Sequence, residues 1–167
     1  KNNSKQLIAP YLSRLQLNEA ETTVYSRMIH ASGDTGYAEL VRMHPDAIQA
    51  AQKALKAGCN IYTDVEMVRT GINKKKLASF GGEVKCLIAD EEIAAGARRE
   101  GITRSMAAMR SFGRALDGAI VAIGNAPTAL FEVLRLVREE QVRPAVIIGI
   151  PVGFVGAADS KKELAEN

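Results

Sequence analysis

The feature that most constrains this chain is an alternation of short apolar segments with helical patterns after residue 58. The short segments read "NIYTDVEM", "EVKCLIAD", "GAIVAIG" and "AVIIGIPVG", and the last three are typical of strands buried in a parallel sheet. Between them lie the helical patterns "DEEIAAGARREG", "TRSMAAMRSFGRAL" and "NAPTALFEVLRLVREEQ". The alternation predicts an α/β fold: a three-layer α/β/α domain with a mostly parallel, doubly wound sheet.

Two helices are predicted before the first strand. Asn18 followed three residues later by Glu21 is the pattern of a capping box, and Gly33 ends the helix that it starts. The segment "HPDAIQAAQKALKAG" predicts a second helix, which ends at Gly58. We find no repeat, low-complexity segment or linker, so residues 1–167 are expected to form a single domain.

Composition and charge argue against several classes of protein. The chain has 167 residues, of which 47% are apolar and 25% charged, as in an ordinary globular domain. No apolar run approaches the roughly 20 residues needed to span a bilayer, and "KNNSKQLIAP" lacks the apolar block of a secretory signal. We therefore expect a cytoplasmic protein without a membrane partner. The net charge of +3 is mild and interspersed, which argues against nucleic acid but permits a small anionic ligand.

The sequence gives no sign of a metal, a disulfide or a nucleotide cofactor. Cys59 and Cys86 lie in different segments without CxxC spacing or nearby histidines, so reduced, buried thiols are expected. Neither GxGxxG nor GxxxxGK[ST] occurs. The glycines of "IGIPVGFVGAADSKKEL", which are Gly149, Gly153 and Gly156, instead predict a close approach of the backbone to a bulky flat ligand or to a second chain.

Candidate ligand-binding residues follow the predicted strands, because ligands of such sheets bind beyond the carboxyl ends of the strands. In "AIGNAPTAL", a turn at residues 124–126 enters a helix that Pro127 opens. Unpaired backbone N–H groups there would favour an anion, and Asn125 and Thr128 would add donors. An ordinary tight turn needs only the glycine and the proline, so that interpretation stays open.

A second candidate is "GITRSMAAM", in which Thr103 is the expected helix cap and Arg104 the first helical residue. A cation at the positive end of the helix dipole is unfavourable by up to about 1 kcal/mol unless an anion intervenes. Arg104 is thus a candidate for binding a carboxylate, and Thr103 and Ser105 beside it are further candidates. The alternative is an arginine that extends into solvent.

The third candidate is His30 in "IHASGDTGYA", at the end of a helix and directly before a chain reversal. Arg27 precedes it by three residues and so shares its helix face. The pair could bind and protonate one ligand, since the usual pKa of histidine, about 6.5, suits proton transfer at cellular pH. A solvated surface pair is the alternative.

Six segments together carry a resemblance to a known family. They are "SRMIHASGD", "ALKAG", "TDVEMVRTGI", "TRSMAAM", "VAIGNAPTALFEVL" and "GIPVGFVGAADSKKEL", in order from residue 26 to residue 164. They resemble the precorrin-8X methylmutase family, also called cobalt-precorrin-8 methylmutase, of cobalamin (vitamin B12) biosynthesis. The succession of "GNAPTAL" and "PVGFVGAA" is the most specific part of the match.

The resemblance implies an isomerase that needs no cofactor. Such an enzyme moves a methyl group from C-11 to C-12 of the tetrapyrrole precorrin-8X or cobalt-precorrin-8, giving hydrogenobyrinate or cobyrinate. By position, His30 corresponds to the family's catalytic histidine, which donates and accepts the proton, while Arg27 and Arg104 correspond to substrate-binding arginines. Members are α/β homodimers that hold the substrate near the subunit interface, so a homodimer is expected.

The chain departs from the family's pattern in two places. Ser4 is followed by Lys5, whereas the family has a Ser-Phe motif as its N-terminal substrate contact. The sequence stops at "KKELAEN", whereas family members usually continue through a further strand, a basic glycine-rich loop and a final helix, so the chain is expected to lack that end. A non-catalytic tetrapyrrole-binding or carrier protein and an unrelated flavodoxin-like binding domain are the alternative hypotheses.

Overall fold

The computed structural model describes residues 2–166, with side chains from residue 6 onward, so Ser4 lies outside the described side chains. The chain packs into two compact units, residues 1–48 and residues 49–167. Among residues 2–166, no helix has the length and apolar character needed to cross a membrane.

The first unit is helical. Its helices are α1 (Asn2–Leu12), α2 (Glu19–Ser32) and α3 (Tyr37–Leu40), with a 3₁₀ turn at Ser13–Leu15. The predicted capping box at the start of α2 is confirmed, because Asn18 and Glu21 exchange side-chain-to-backbone hydrogen bonds of 2.9 Å in both directions. Gly33 ends the helix with a φ of 70°, as predicted, in the left-handed conformation that glycine adopts without strain.

The core of the first unit forms where apolar residues of these helices meet. The buried side chains are Ile8, Leu12, Tyr25, Ile29 and Ala38. Ile29 is the residue directly before His30, and it is 3% exposed. The last turn of α2 is therefore anchored on one side by the core and open to solvent on the other.

The second unit contains a four-stranded parallel sheet, which confirms the predicted fold class. Its strands are β1 (Ile61–Thr63), β2 (Val84–Cys86), β3 (Ile120–Ile123) and β4 (Val146–Gly149), in the order β2-β1-β3-β4. All neighbouring pairs run parallel. The accompanying helices are α4 (Ala47–Lys56), α5 (Glu66–Gly71), α6 (Lys74–Ala78), α7 (Glu91–Glu100), α8 (Arg104–Phe112), α9 (Pro127–Glu139) and α10 (Ala157–Glu166), with a 3₁₀ turn at Gly113–Leu116.

The strand order creates a switch point between β1 and β3. From β1 the chain crosses outward to β2, whereas from β3 it crosses in the opposite direction to β4. Because such crossovers are right-handed, these connections place their helices on opposite faces of the sheet. Ligands of doubly wound folds bind beyond the carboxyl ends of the strands on either side of such a switch point, which here are β1 and β3.

The core of the second unit lies between the central strand β3 and the helices α8 and α9. Val121 and Ile123 of β3 are almost completely buried, as are Met109 of α8 and Leu130 and Val133 of α9. Burial of each such side chain contributes about 1.5–3 kcal/mol to folding. The carboxyl end of β3 and the start of α9 are thus fixed by the best-packed part of the unit.

Candidate functional site

His30 lies in the last turn of α2 with its side chain exposed. Among the residues that the structure describes, its imidazole has neither a hydrogen-bond nor an ion-pair partner. Gly33 ends the helix three residues later, so no further turn covers the ring. Both ring nitrogens are therefore accessible to a ligand.

A surface cavity of about 320 Å³ lies beside the imidazole, within the first unit. Most of its lining is apolar or aromatic. Leu7, Ile8 and Tyr11 come from α1, and Ile29, His30, Gly33 and Thr35 come from the end of α2 and the turn after it. Leu7 is 69% exposed and Tyr11 43% exposed, although such side chains are more stable when they are covered. The cavity thus combines an apolar wall with one imidazole.

Arg27 and Asp34 flank the histidine in the sequence but behave differently. Arg27 is exposed on α2, and no carboxylate pairs with it in residues 2–166. The Asp34 carboxylate accepts a hydrogen bond of 2.7 Å from the Gly36 N–H, and so it closes its own turn. Arg27 therefore remains available to an anionic ligand.

The turn between β3 and α9 already holds an anion, which is the carboxylate of Asp64. Its Oδ1 accepts a 3.0 Å hydrogen bond from the Gly124 N–H, and its Oδ2 accepts bonds of 2.9 Å and 2.7 Å from the N–H groups of Asn125 and Ala126. Asp64 directly follows β1, which is the neighbour of β3, so the carboxylate reaches the turn across the switch point. The expectation of unpaired N–H groups in this turn is therefore wrong.

The Asn125 side chain is exposed above this turn. The backbone of Asn125 is fixed from a second direction, because its carbonyl accepts a 3.0 Å hydrogen bond from the Val152 N–H. Gly124 permits a close approach to α5, since a β-carbon at this position would overlap the side chain of Val68. The turn thus presents one amide side chain on a rigid backbone.

Two predicted hydroxyl residues are brought together at the starts of α8 and α9. The Thr103 hydroxyl accepts a 3.2 Å bond from the Met106 N–H, which confirms the predicted helix cap, and donates a 3.0 Å bond to the Thr128 hydroxyl. The Thr128 hydroxyl keeps its own proton for a further acceptor. Arg104 is exposed and has no partner within the described part of the chain, whereas Ser105 is buried.

Sequence reasoning missed Asp64, which is completely buried. The available signal was an acidic residue directly after the apolar strand in "NIYTD", a position where an exposed charge is not expected.

Cys86 is half-buried at the end of β2, and burial raises the pKa of its thiol, with smaller opposing effects from hydrogen bonds. No group of three or more His, Cys, Asp or Glu side chains in residues 2–166 is arranged to hold a metal.

The fold and these geometries together define a class of protein. A doubly wound parallel sheet carries polar side chains at its switch point, and a separate exposed histidine lies in an apolar cavity. The cavity of the first unit can bind an apolar surface beside a group that transfers protons, and the switch point of the second unit offers polar groups to a ligand of its own.

Comparisons with known proteins identify the family. The CbiC family model, described as precorrin-8X methylmutase, matches residues 1–167. The chain is 42% identical over 163 residues to cobalt-precorrin-8 methylmutase of Priestia megaterium, covering 98% of this chain and 72% of that protein. It is 46% identical over 156 residues to precorrin-8X methylmutase of a Sinorhizobium species, covering 93% and 73% of the two proteins.

A solved structure agrees with these similarities. The crystal structure of precorrin-8X methylmutase from Thermus thermophilus superposes with a TM-score of 0.87 at 37% identity, covering 99% of this chain and 80% of that one. The chain belongs to the precorrin-8X methylmutase family. It is an isomerase of cobalamin biosynthesis.

Proposed function

We propose that this isomerase acts in the cytoplasm and moves a methyl group from C-11 to C-12 of precorrin-8X or cobalt-precorrin-8, giving hydrogenobyrinate or cobyrinate. His30 is the proton donor and acceptor. The observation that carries the proposal is the exposed imidazole in an apolar cavity, with no partner among the side chains that the structure describes, those of residues 6–166. Family membership supports it, and so does the resemblance of the sequence, which implies that His30 corresponds to the family's catalytic histidine.

The proposed chemistry needs a proton and no electron carrier. A methyl shift around a conjugated ring breaks one carbon–carbon bond and forms another, so the atoms of substrate and product are the same. Protonation of a ring nitrogen or an adjacent carbon selects the tautomer in which the methyl group can move to the neighbouring carbon. His30 gives the proton as imidazolium and recovers one as the new chromophore forms, so no net proton is consumed.

Substrate binding is assigned to cations and hydroxyls that the protein leaves free. Arg27 and Arg104 each pair with a peripheral carboxylate of the substrate, since neither has a carboxylate partner in the described chain. The Asn125 amide and the Thr128 hydroxyl donate further hydrogen bonds. Thr103 and Ser105 complete the proposed binding set: Thr103 acts through its hydrogen bond to Thr128, and Ser105 is a buried member that supports the start of α8.

In this proposal, the apolar wall of the cavity beside His30 contacts the macrocycle of the substrate. Leu7 and Tyr11 project from α1 with large exposed areas on the side that carries the imidazole. Contact with a flat apolar ring would remove this surface from water, which contributes about 25 cal/mol for each Å² covered. The same wall would exclude water from the proton being transferred.

We also propose a homodimer. The loop after β4 carries Val152, Phe154 and Val155 with exposed fractions of 57%, 109% and 88%. Adjacent exposed apolar side chains of this size are typical of a surface that contacts another chain. A second copy of this chain is the occupant that the family relationship favours.

The proposal is tested by replacing His30 with alanine. Turnover of precorrin-8X and of cobalt-precorrin-8, followed by the visible spectrum, should fall about 10²–10⁴-fold, as for a lost general acid. Binding should persist, because an exposed imidazole contributes little packing. The matched control is His44→Ala: His44 is also exposed, but its Nδ1 accepts a 3.2 Å hydrogen bond from the Asp46 N–H and is thus engaged. Wild-type protein that binds without conversion would instead support the carrier hypothesis.

A further inference from the structure

We propose that Asp64 is a positioning residue for substrate binding. Its buried carboxylate fixes the turn at residues 124–126, so that Asn125 presents its side chain in one orientation. This inference rests on the proposed function, in which Asn125 donates a hydrogen bond to the substrate.

The carboxylate uses both oxygens on the turn. Oδ1 accepts one backbone N–H bond and Oδ2 accepts two, at 3.0, 2.9 and 2.7 Å, and Asp64 is 0% exposed. No arginine, lysine or histidine in the described chain lies within ion-pair distance of it. The turn is therefore its principal source of stabilisation, since an isolated buried carboxylate is strongly unfavourable. Each partner fixes the other.

The arrangement decides which groups remain for the substrate. Three N–H groups that would otherwise bind an external anion are saturated by the protein's own carboxylate, whose negative charge would repel a substrate carboxylate from the same place. Recognition at this turn then depends on the Asn125 side chain. Because Val152 holds the Asn125 carbonyl at 3.0 Å from the other side, the Cα of Asn125 is fixed between two contacts.

The position of Asp64 in the topology explains why it can act at a distance in sequence. It lies at the carboxyl end of β1, and the turn lies at the carboxyl end of the neighbouring β3, on the two sides of the switch point. A side chain from one strand thus preorganises the loop of the next. Preorganisation of this kind lowers the cost of ordering a binding group when the ligand arrives.

The first test is Asp64→Asn, which keeps the shape but replaces one acceptor oxygen with an NH₂ group. That donor must face a backbone N–H, so at least one bond is lost and the turn shifts. We expect the KM for precorrin-8X or cobalt-precorrin-8 to rise about tenfold or more, with kcat changed less than about threefold, because the lost interaction contributes to binding. Asp90→Asn is the matched control: Asp90 also accepts two backbone N–H bonds, at 2.9 and 3.1 Å, but at the start of α7.

A double-mutant cycle separates positioning from general stability. If Asp64 acts through Asn125, then Asp64→Asn should have little further effect on KM in the Asn125→Ala background. Independent, additive effects on KM would overturn the inference. So would an unchanged KM in Asp64→Asn when the wild-type enzyme converts its substrate. If the wild-type chain neither binds nor converts either substrate, it is the proposed function that has failed.

A measurement on the wild-type protein keeps the inference testable if the variant does not fold. Backbone hydrogen exchange should show the amides of residues 124–126 protected before any substrate is added, because Asp64 already binds them. Protection that appears only with substrate would mean that the ligand orders the turn, and Asp64 would then not be a positioning residue.

Discussion

At the scale of single residues, Arg104 occupies a position that the fold alone does not favour. It is the first residue of α8, where the helix dipole disfavours a cation, and it has no partner among the described side chains. We expect Arg104→Ala to weaken substrate binding by about 1.5–3 kcal/mol, as for a lost charge-assisted hydrogen bond. The free energy of unfolding should stay the same or rise slightly. Substrate titration and thermal unfolding measure the two quantities.

The control for Arg104 is Arg98, which is also exposed but lies in the last turn of α7, where the dipole favours a cation. Arg98→Ala should leave substrate affinity unchanged and lower stability by a few tenths of a kcal/mol. Unchanged affinity in Arg104→Ala, together with a marked fall in its unfolding midpoint, would assign Arg104 a structural role.

Residue-level features could be predicted from the sequence only where the partners are close along the chain. The capping box of Asn18 and Glu21 joins residues three apart, as does the cap of Thr103, and both were predicted from the sequence. Asp64 binds a turn 60 to 62 residues away, and that contact depends on β1 and β3 being neighbours. No local pattern contains this information. The availability of the turn for an external anion was consequently mispredicted.

At the scale of elements, α8 and α9 are joined by an ionic cluster around one buried carboxylate. Glu132 of α9 is 1% exposed and accepts hydrogen bonds from Arg110 of α8, the shortest at 2.9 Å, and from Arg135, the shortest at 2.7 Å. Burial raises the pKa of the Glu132 carboxyl, but hydrogen bonds and charges of the two arginines outweigh it and leave the pKa lowered. The ionised form is thus the one that stabilises the fold.

The sign of this pKa shift predicts an acid-sensitive contribution to stability. Because the pKa of Glu132 is lower in the folded state than in the unfolded state, its stabilisation is complete above the unfolded pKa, about 4.3. It is lost as the pH falls through the folded pKa. Glu132→Gln should therefore destabilise the protein at neutral pH by about 1.5–3 kcal/mol, as for lost hydrogen bonds to a charged group, because the remaining arginines are partly exposed. Its unfolding free energy should also depend less on pH below about 4.5, as measured by denaturant titration at several pH values.

The matched substitution is Glu139→Gln, which removes a carboxylate that pairs with Arg135 at 3.1 Å but is 61% exposed. Its cost should stay below about 1 kcal/mol. Equal costs for the two substitutions would show that burial of Glu132 does not govern the stability of the α8–α9 contact.

Elements were predicted better than their ends. All four strands were expected, but "NIYTDVEM" was assigned to a strand as a whole, whereas β1 ends at Thr63 and α5 begins at Glu66. The strand stops where the Asp64 side chain turns towards its three amides, and Glu66 then pairs with Arg69 at 2.6 Å within α5. The strand is thus ended by a tertiary contact and a local ion pair. The pattern of apolar residues along the segment reveals neither of them.

At the scale of the whole molecule, the apolar surface after β4 bears on the proposed homodimer. β4 is one of the two edge strands of the described sheet, and Ile148 and Ile150 remain 44% and 42% exposed beside the Val152–Val155 loop. An exposed apolar edge is prone to association unless something covers it.

The sequence predicts a single domain over residues 1–167, and this stays a prediction. The structure itself packs into two compact units.

The homodimer is tested by placing a charge in this surface. Phe154→Asp should convert a particle of twice the 18.0 kDa chain mass into a monomer, as measured by light scattering at low micromolar concentration, because a buried carboxylate without a partner is strongly unfavourable in an interface. The fold should be kept, since the Phe154 side chain is fully exposed. The control is Leu40→Asp, which charges another exposed apolar residue, 70% exposed, in the first unit and should leave the mass unchanged. A wild-type protein that is strictly monomeric would remove the dimer from the proposal, and a dimer that survives Phe154→Asp would place the interface on another surface.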